Sequence, residues 1–192
     1  MIRRLYDWTM GLAEHPRAMW ALAIVAFVES SVFPIPPDVL MIPMIIAMPS
    51  RAFYIAFVAT VASVLGGLFG YYIGYGLMDA VGMPVLEFYG KAEKFDALSA
   101  QFNAYGAWAV LIAGVTPFPF KVITIFSGAT GLSLPIFIGV SILARALRFF
   151  LVAGLLWKFG PPIRDFIEKR LGLVFTVFVV LLIGGLYAVK FL

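Results

Sequence analysis

Five charged residues stand inside otherwise apolar sequence: Glu29, Asp38, Lys121, Arg145 and Arg148. Charge at membrane depth is costly, so it is kept where it has work to do. Arg145 and Arg148 are three residues apart and share one face of a helix. With Lys121 they can converge on a phosphate, which arginine grips with a forked guanidinium. Glu29 and Asp38 complement them. Each can pair with an arginine when the site is empty and take up a proton when an anion arrives. The expected chemistry is anion binding by Lys121, Arg145 and Arg148, coupled to proton exchange at Glu29 and Asp38. The competing reading is a structural ion-pair network among the same five residues. For Asp38 a further reading is an N-cap on the helix after Pro37.

Asp38 and Lys121 lie in two matching interruptions. One reads VFPIPPDV, Val32 to Val39, and the other VTPFPFKV, Val115 to Val122. Aligned without gaps, Pro34 meets Pro117, Pro36 meets Pro119 and Asp38 meets Lys121. Proline removes a helix hydrogen bond, and unsatisfied backbone is costly in lipid. These four prolines therefore mark the tips of two hairpins. Half-helix N-termini there would add backbone donors for an anion.

The chain has 192 residues, of which 63% are hydrophobic and 12% charged. A soluble domain of that length needs more polar surface, so the composition is that of an all-α integral membrane protein. There is no cysteine, which excludes disulfides and thiolate metal sites. The net charge of +4 reports topology more than nucleic-acid binding. No nucleotide loop, nucleophile elbow or metal-ligand spacing appears. The reading is a non-enzyme without metal or cofactor, whose partners are the bilayer, a phosphate-bearing lipid and protons. A homo-oligomer stays open. His15, beside Glu14 and Pro16, reads as a surface residue.

The elements that must position these charges follow from apolar run lengths. Residues 2–15 read as an amphipathic interfacial helix. Residues 17–33 and 38–49 are two arms around the first tip, the second broken by Pro43. They are too short to span, which takes about 20 residues, so they form a re-entrant hairpin. Residues 53–77 span, with a ridge of Gly66, Gly70 and Gly74 that permits close helix approach. Residues 78–103 are a second surface helix. Residues 104–116 and 121–132 form the second hairpin, with bends at Ser127-Gly128 and Thr130-Gly131. Residues 133–159 span, 160–170 are a basic loop, and 171–192 are a C-terminal span.

The order surface helix, hairpin, span therefore occurs twice, over about 2–77 and 85–160, within one membrane domain of 1–192. One span per unit inverts the second unit relative to the first, the arrangement of inverted-repeat transporters. Arg3, Arg4, Arg17, Arg51, Lys158, Arg164, Lys169 and Arg170 fall on one side, and Lys91, Lys94 and Lys190 on the other. The first side, with the N-terminus, is cytoplasmic by the positive-inside rule.

The motifs resemble those of the DedA family, also called VTT or SNARE-associated membrane proteins. FVESSVFPIPPD resembles its acidic hairpin, GGLFGYYIGYG (Gly66 to Gly76) its glycine-rich span, and GVTPFPFKV with Ser127-Gly128 its second hairpin. Arg145 to Gly154 resembles its arginine-bearing span. VESSVFPIPPDVLMIPM and FGPPIRDFIE are closest to short alphaproteobacterial-type members. The resemblance covers about residues 15–160. It implies two re-entrant hairpins facing each other across the inner membrane, and a role in envelope maintenance. It also implies proton-dependent transport; some members act as flippases that recycle the carrier lipid undecaprenyl phosphate across the inner membrane, while eukaryotic relatives scramble phospholipids. Glu29 and Asp38 match the family's functional acids, and Arg145 or Arg148 its arginines. Lys121 stands where many members carry an arginine. The alternatives are an uncoupled phospholipid scramblase and a membrane assembly factor.

Overall fold

The computed structural model describes residues 17–32, 35–90, 92–116 and 118–188, with 161 and 163–188 described by backbone alone. The expected interfacial helix 2–15, His15, Pro34, Lys91, Pro117 and Lys190 lie outside the described residues. Among the described residues every regular element is helical and there is no strand.

Proline sets where several helices begin. Helix α1 (Ala18–Ser31) ends at Val32, whose N–H reaches the Val28 carbonyl. Helix α2 (Asp38–Ala47) starts directly after Pro37, whose φ of −64° suits a helix entry. A short turn, Pro49–Arg51, leads into α3 (Ala52–Leu77). A π-helical turn at Met78–Gly82 passes the chain to α4 (Met83–Phe88). Helix α5 (Ala92–Val115) precedes the second proline tip, and α6 (Phe120–Ala129) follows Pro119. Gly131, at φ +65°, turns the chain into α7 (Leu134–Ala188). Only glycine takes that φ without strain.

Helix boundaries differ from the expected ones in four places. Pro43 does not break α2: it is buried inside the helix, where it forfeits one backbone bond and keeps a helical φ. The expected surface helix 78–103 is not one element: the chain turns at Tyr89 and Gly90, and the polar stretch 92–103 runs on into the apolar arm 104–115 as one helix, α5. Polarity sets which face a helix shows, and the backbone bonds continue across the change. Ser127-Gly128 is not a bend but part of α6. Residues 160–170 are not a loop: their backbone lies within α7. Pro161 and Pro162 cost that helix bonds, yet their fixed φ is helical. The 171–188 segment therefore continues α7 instead of returning as a separate element.

Among the described residues two runs are long and apolar enough to cross a membrane, Pro49–Phe88 and Leu134–Gly160. By contrast α1, α2 and α6 have 14, 10 and 10 residues. At 1.5 Å per residue that is about 21, 15 and 15 Å, against about 30 Å of hydrocarbon. The long helices α3 and α7 pack on each other. Helix α1 rests on α3 and α5 on α7, while α2 lies on α7 and α6 on α3. Each short second arm thus sits on the long helix of the other half.

Glycine makes the tightest of these joints. A Cβ at Gly66 would overlap the Phe27 carbonyl of α1, one at Gly74 the Ile125 carbonyl of α6, and one at Gly128 the Tyr71 carbonyl of α3. The ridge is a packing surface for both short helices. Two apolar clusters flank it. One gathers Leu22, Met41, Ile45, Ile55 and Phe149, and the other Tyr71, Val110, Phe120, Leu132 and Phe137.

Candidate functional site

Four of the five expected charges meet as two acid–arginine pairs where α1, α2 and α7 converge. Arg145 projects from α7 and is fully buried. Its Nη2 donates to Glu29 Oε2 of α1 at 2.8 Å, and its Nε donates to Ser63 Oγ of α3 at 2.6 Å. The guanidinium lies between two rings, 4.8 Å from the Phe120 centroid and 4.6 Å from that of Phe149. Those rings belong to different apolar clusters, so Arg145 sits at their junction. Its Nη1 has no hydrogen-bond partner among the described residues.

Glu29 is held from a second direction. Ser30 Oγ lies 3.1 Å from Glu29 Oε2 and 2.7 Å from Ser63 Oγ. The hydroxyls of Ser30 and Ser63 thus connect the acid to the arginine by a second route. Both serines are buried. Nothing in the sequence singled them out, since serine inside an apolar helix is common. Their one signal is position: Ser63 and Ser30 each follow or precede by three residues the close contact of Gly66 with Phe27.

The second pair is more open. Arg148 Nη2 donates to Asp38 Oδ2 at 2.6 Å, with side chains 18% and 17% exposed. Arg148 Nη1 also donates to the Thr116 carbonyl at 3.0 Å. One guanidinium therefore bridges the start of α2 and the end of α5, two segments that meet at different proline tips. Asp38 is not a capping residue. Pro37 holds the N-cap position, and Asp38, the first helical residue, makes no capping bond. Its charge still favours the helix N-terminus.

Lys121 is in neither pair. It lies on the first turn of α6, and its exposed Nζ donates to the Val32 carbonyl at the end of α1, at 3.2 Å. Thr124, one turn on, donates to the Ser30 carbonyl at 2.9 Å. The second tip thus ties the C-terminus of α1, where a cation is favoured by the dipole. Pro36 and Pro119 flank the helix starts, and their carbonyls accept the Val39 and Val122 N–H groups. Among the described residues no group of His, Asp or Glu is placed to hold a metal.

The sequence that builds most of this layout matches a known domain. A family model described as the VTT domain matches residues 35–158. The chain belongs to the VTT-domain family, the DedA family. It is a membrane protein of a family commonly linked to lipid transport. An uncharacterized protein of Haemophilus influenzae is 37% identical over 168 residues, covering 85% of this chain and 87% of that one. An uncharacterized protein of Histophilus somni is 38% identical over the same length and coverage. No solved structure matches the chain. The matched VTT region contains Asp38, Lys121, Arg145 and Arg148, while Glu29 precedes it.

Proposed function

We propose that this VTT-domain protein moves a phosphate-bearing lipid between the leaflets of a bacterial inner membrane, with a carrier lipid of the undecaprenyl phosphate type as the leading substrate. The observation that carries the reading is Arg148. It is partly exposed and bridges both proline tips through Asp38 and the Thr116 carbonyl, while the half-buried Lys121 makes an exposed bond from the second tip to the Val32 carbonyl. A phosphate entering there competes with one carboxylate and one carbonyl for Arg148, and with one carbonyl for Lys121. Those are replaceable partners. Arg145, enclosed by aromatic rings and held by Glu29 and Ser63, is placed behind the headgroup site and supports it.

The fold supports the same reading. Helices α1, α2 and α6 are too short to cross, so we place α1–α2 and the apolar half of α5 with α6 as re-entrant hairpins entering from opposite leaflets. The exchanged packing of α2 on α7 and α6 on α3 is what an inverted repeat produces. The N-terminus is assigned to the cytoplasm by charge. The lipid tail stays in the bilayer while the headgroup passes between the tips. Release of Asp38 from Arg148 supplies a route for coupling to protons.

The test is purified protein in phosphatidylethanolamine–phosphatidylglycerol vesicles with a fluorescent short-chain polyprenyl phosphate. Arg148→Gln and Lys121→Ala are expected to slow its translocation at least 10-fold. Parent-like rates in both variants would remove the headgroup assignment. A rate indifferent to an imposed pH gradient would leave an uncoupled scramblase.

A further inference from the structure

The two acid–arginine pairs differ in one respect beyond exposure: one closes on itself. Arg145 Nη2 donates to Glu29 Oε2 at 2.8 Å. Returning the other way, Arg145 Nε meets Ser63 Oγ at 2.6 Å, Ser63 Oγ meets Ser30 Oγ at 2.7 Å, and Ser30 Oγ meets Glu29 Oε2 at 3.1 Å. Four groups on three helices form a ring. Its proton order is fixed at both ends, because a guanidinium N–H only donates and an ionised carboxylate only accepts. Ser63 must therefore accept from Arg145 and give its own hydrogen to Ser30, which gives its hydrogen to Glu29. Every hydroxyl in the ring is used once as donor and once as acceptor.

The ring also sits on a rigid joint. Three residues along α3 from Ser63, Gly66 touches the Phe27 backbone, three residues before Ser30 on α1. Backbones at that separation leave no room for a side chain between α1 and α3. The Asp38–Arg148 pair has no such closure: Arg148 spreads its donors over a carboxylate and a carbonyl on two tips.

We propose that Ser30 and Ser63 are positioning residues that lock Glu29 onto Arg145 as a fixed pivot for α1, α3 and α7, leaving Asp38–Arg148 as the pair that opens to a phosphate. The assignment rests on the lipid-translocation reading and adds to it a division of labour between the two pairs. The serines touch no substrate. They act through Arg145, whose guanidinium is stacked on Phe120 at the start of α6, and so fix the second tip relative to the first.

The experiment uses Ser30→Ala, Ser63→Ala, the double variant and Arg148→Gln, in the vesicles and with the fluorescent polyprenyl phosphate described above. Rates are expressed per folded transporter, counted by gel filtration. Opening the ring leaves a buried donor unmet, equivalent to about a 10-fold change. Each serine variant is expected to lower the maximal rate by about 10-fold with the half-saturating lipid fraction unchanged. The double variant loses no more than the worse single, because a ring opens once. Arg148→Gln instead raises the half-saturating fraction. Losses that multiply in the double variant overturn the proposal, as does a rise in half-saturation in either serine variant. A purely structural role lowers the yield of folded protein and leaves the rate per folded molecule alone, which also overturns it. Hydrogen exchange in detergent separates this failure from failure of the transport reading. Ser63→Ala should speed exchange in the last turn of α1 by about 10-fold, whether or not the parent moves the lipid, and unchanged exchange there refutes the pivot.

Discussion

Removing Glu29 should be far more damaging to the folded protein than removing Asp38. In Glu29→Ala, the Arg145 guanidinium keeps the Ser63 hydroxyl and two ring faces but loses the carboxylate at 2.8 Å, in a side chain with 0% exposure. Breaking a buried pair from one side costs about 3–5 kcal/mol, because a desolvated charge is left behind. In Asp38→Ala, Arg148 retains the Thr116 carbonyl at 3.0 Å and is 18% exposed. A pair of that openness is worth about 1 kcal/mol. For a chain of this size, each kcal/mol moves the melting midpoint by about 2–4 °C. The expected drops are therefore about 6–20 °C for Glu29→Ala and about 2–4 °C for Asp38→Ala. Tryptophan fluorescence of the purified proteins in one detergent, heated side by side, reads both. Equal drops, or the larger one in Asp38→Ala, would refute the inequality drawn from burial. The double variant Glu29→Leu/Arg145→Met sharpens the test. It removes both charges and fills the space with apolar atoms, so its midpoint should lie within about 4 °C of the parent.

Four further substitutions probe the scaffold. Gly74→Ala and Gly128→Ala each drive a methyl into a facing carbonyl, so α3 and α6 must part; both should yield little folded protein at ordinary expression temperature. Gly76→Ala meets nothing within 4 Å, and should raise stability by about 0.5–1 kcal/mol through helix propensity, read as a higher midpoint. Tyr71→Phe removes the 2.6 Å bond from the hydroxyl to the Leu132 carbonyl. Leaving that buried carbonyl unmet should cost about 1–3 kcal/mol, seen as a midpoint lower by about 2–12 °C.

The parts of the fold visible in the sequence are those governed by local chemistry. Proline marked the entries of α2 and α6, and small residues at four-residue spacing marked the tight face of α3. The charges stood out because lipid makes them expensive. Their pairing did not stand out. Glu29 and Arg145 are 116 residues apart, Asp38 and Arg148 are 110, and which acid finds which arginine depends on how α1 and α2 cross α7. Arg145 and Arg148 share a helix face, yet three residues of rotation place one in a sealed junction and the other at a rim. Composition misled at 103–104 and 160–170, because a change of polarity does not end a helix whose backbone bonds can continue. Pro43 misled for a related reason: its ring costs the helix one backbone bond, while its fixed φ remains helical.

A buried ion pair is a poor way to gain stability, since apolar residues of similar volume do as well or better. The Glu29–Arg145 pair must then be kept for something that apolar packing cannot supply, and direction is the candidate. Hydrophobic contacts between α1, α3 and α7 tolerate small slips, because dispersion is weakly directional. A ring of four hydrogen bonds does not, because each donor has one acceptor at the right angle. The Leu/Met double variant separates the two contributions. If direction is what matters, it should melt near the parent and still translocate the polyprenyl phosphate at least 10-fold more slowly per folded molecule. A variant that is both stable and fully active would show that the pair contributes only cohesion, and the proposed division between a fixed pivot and an opening pair would fall with it.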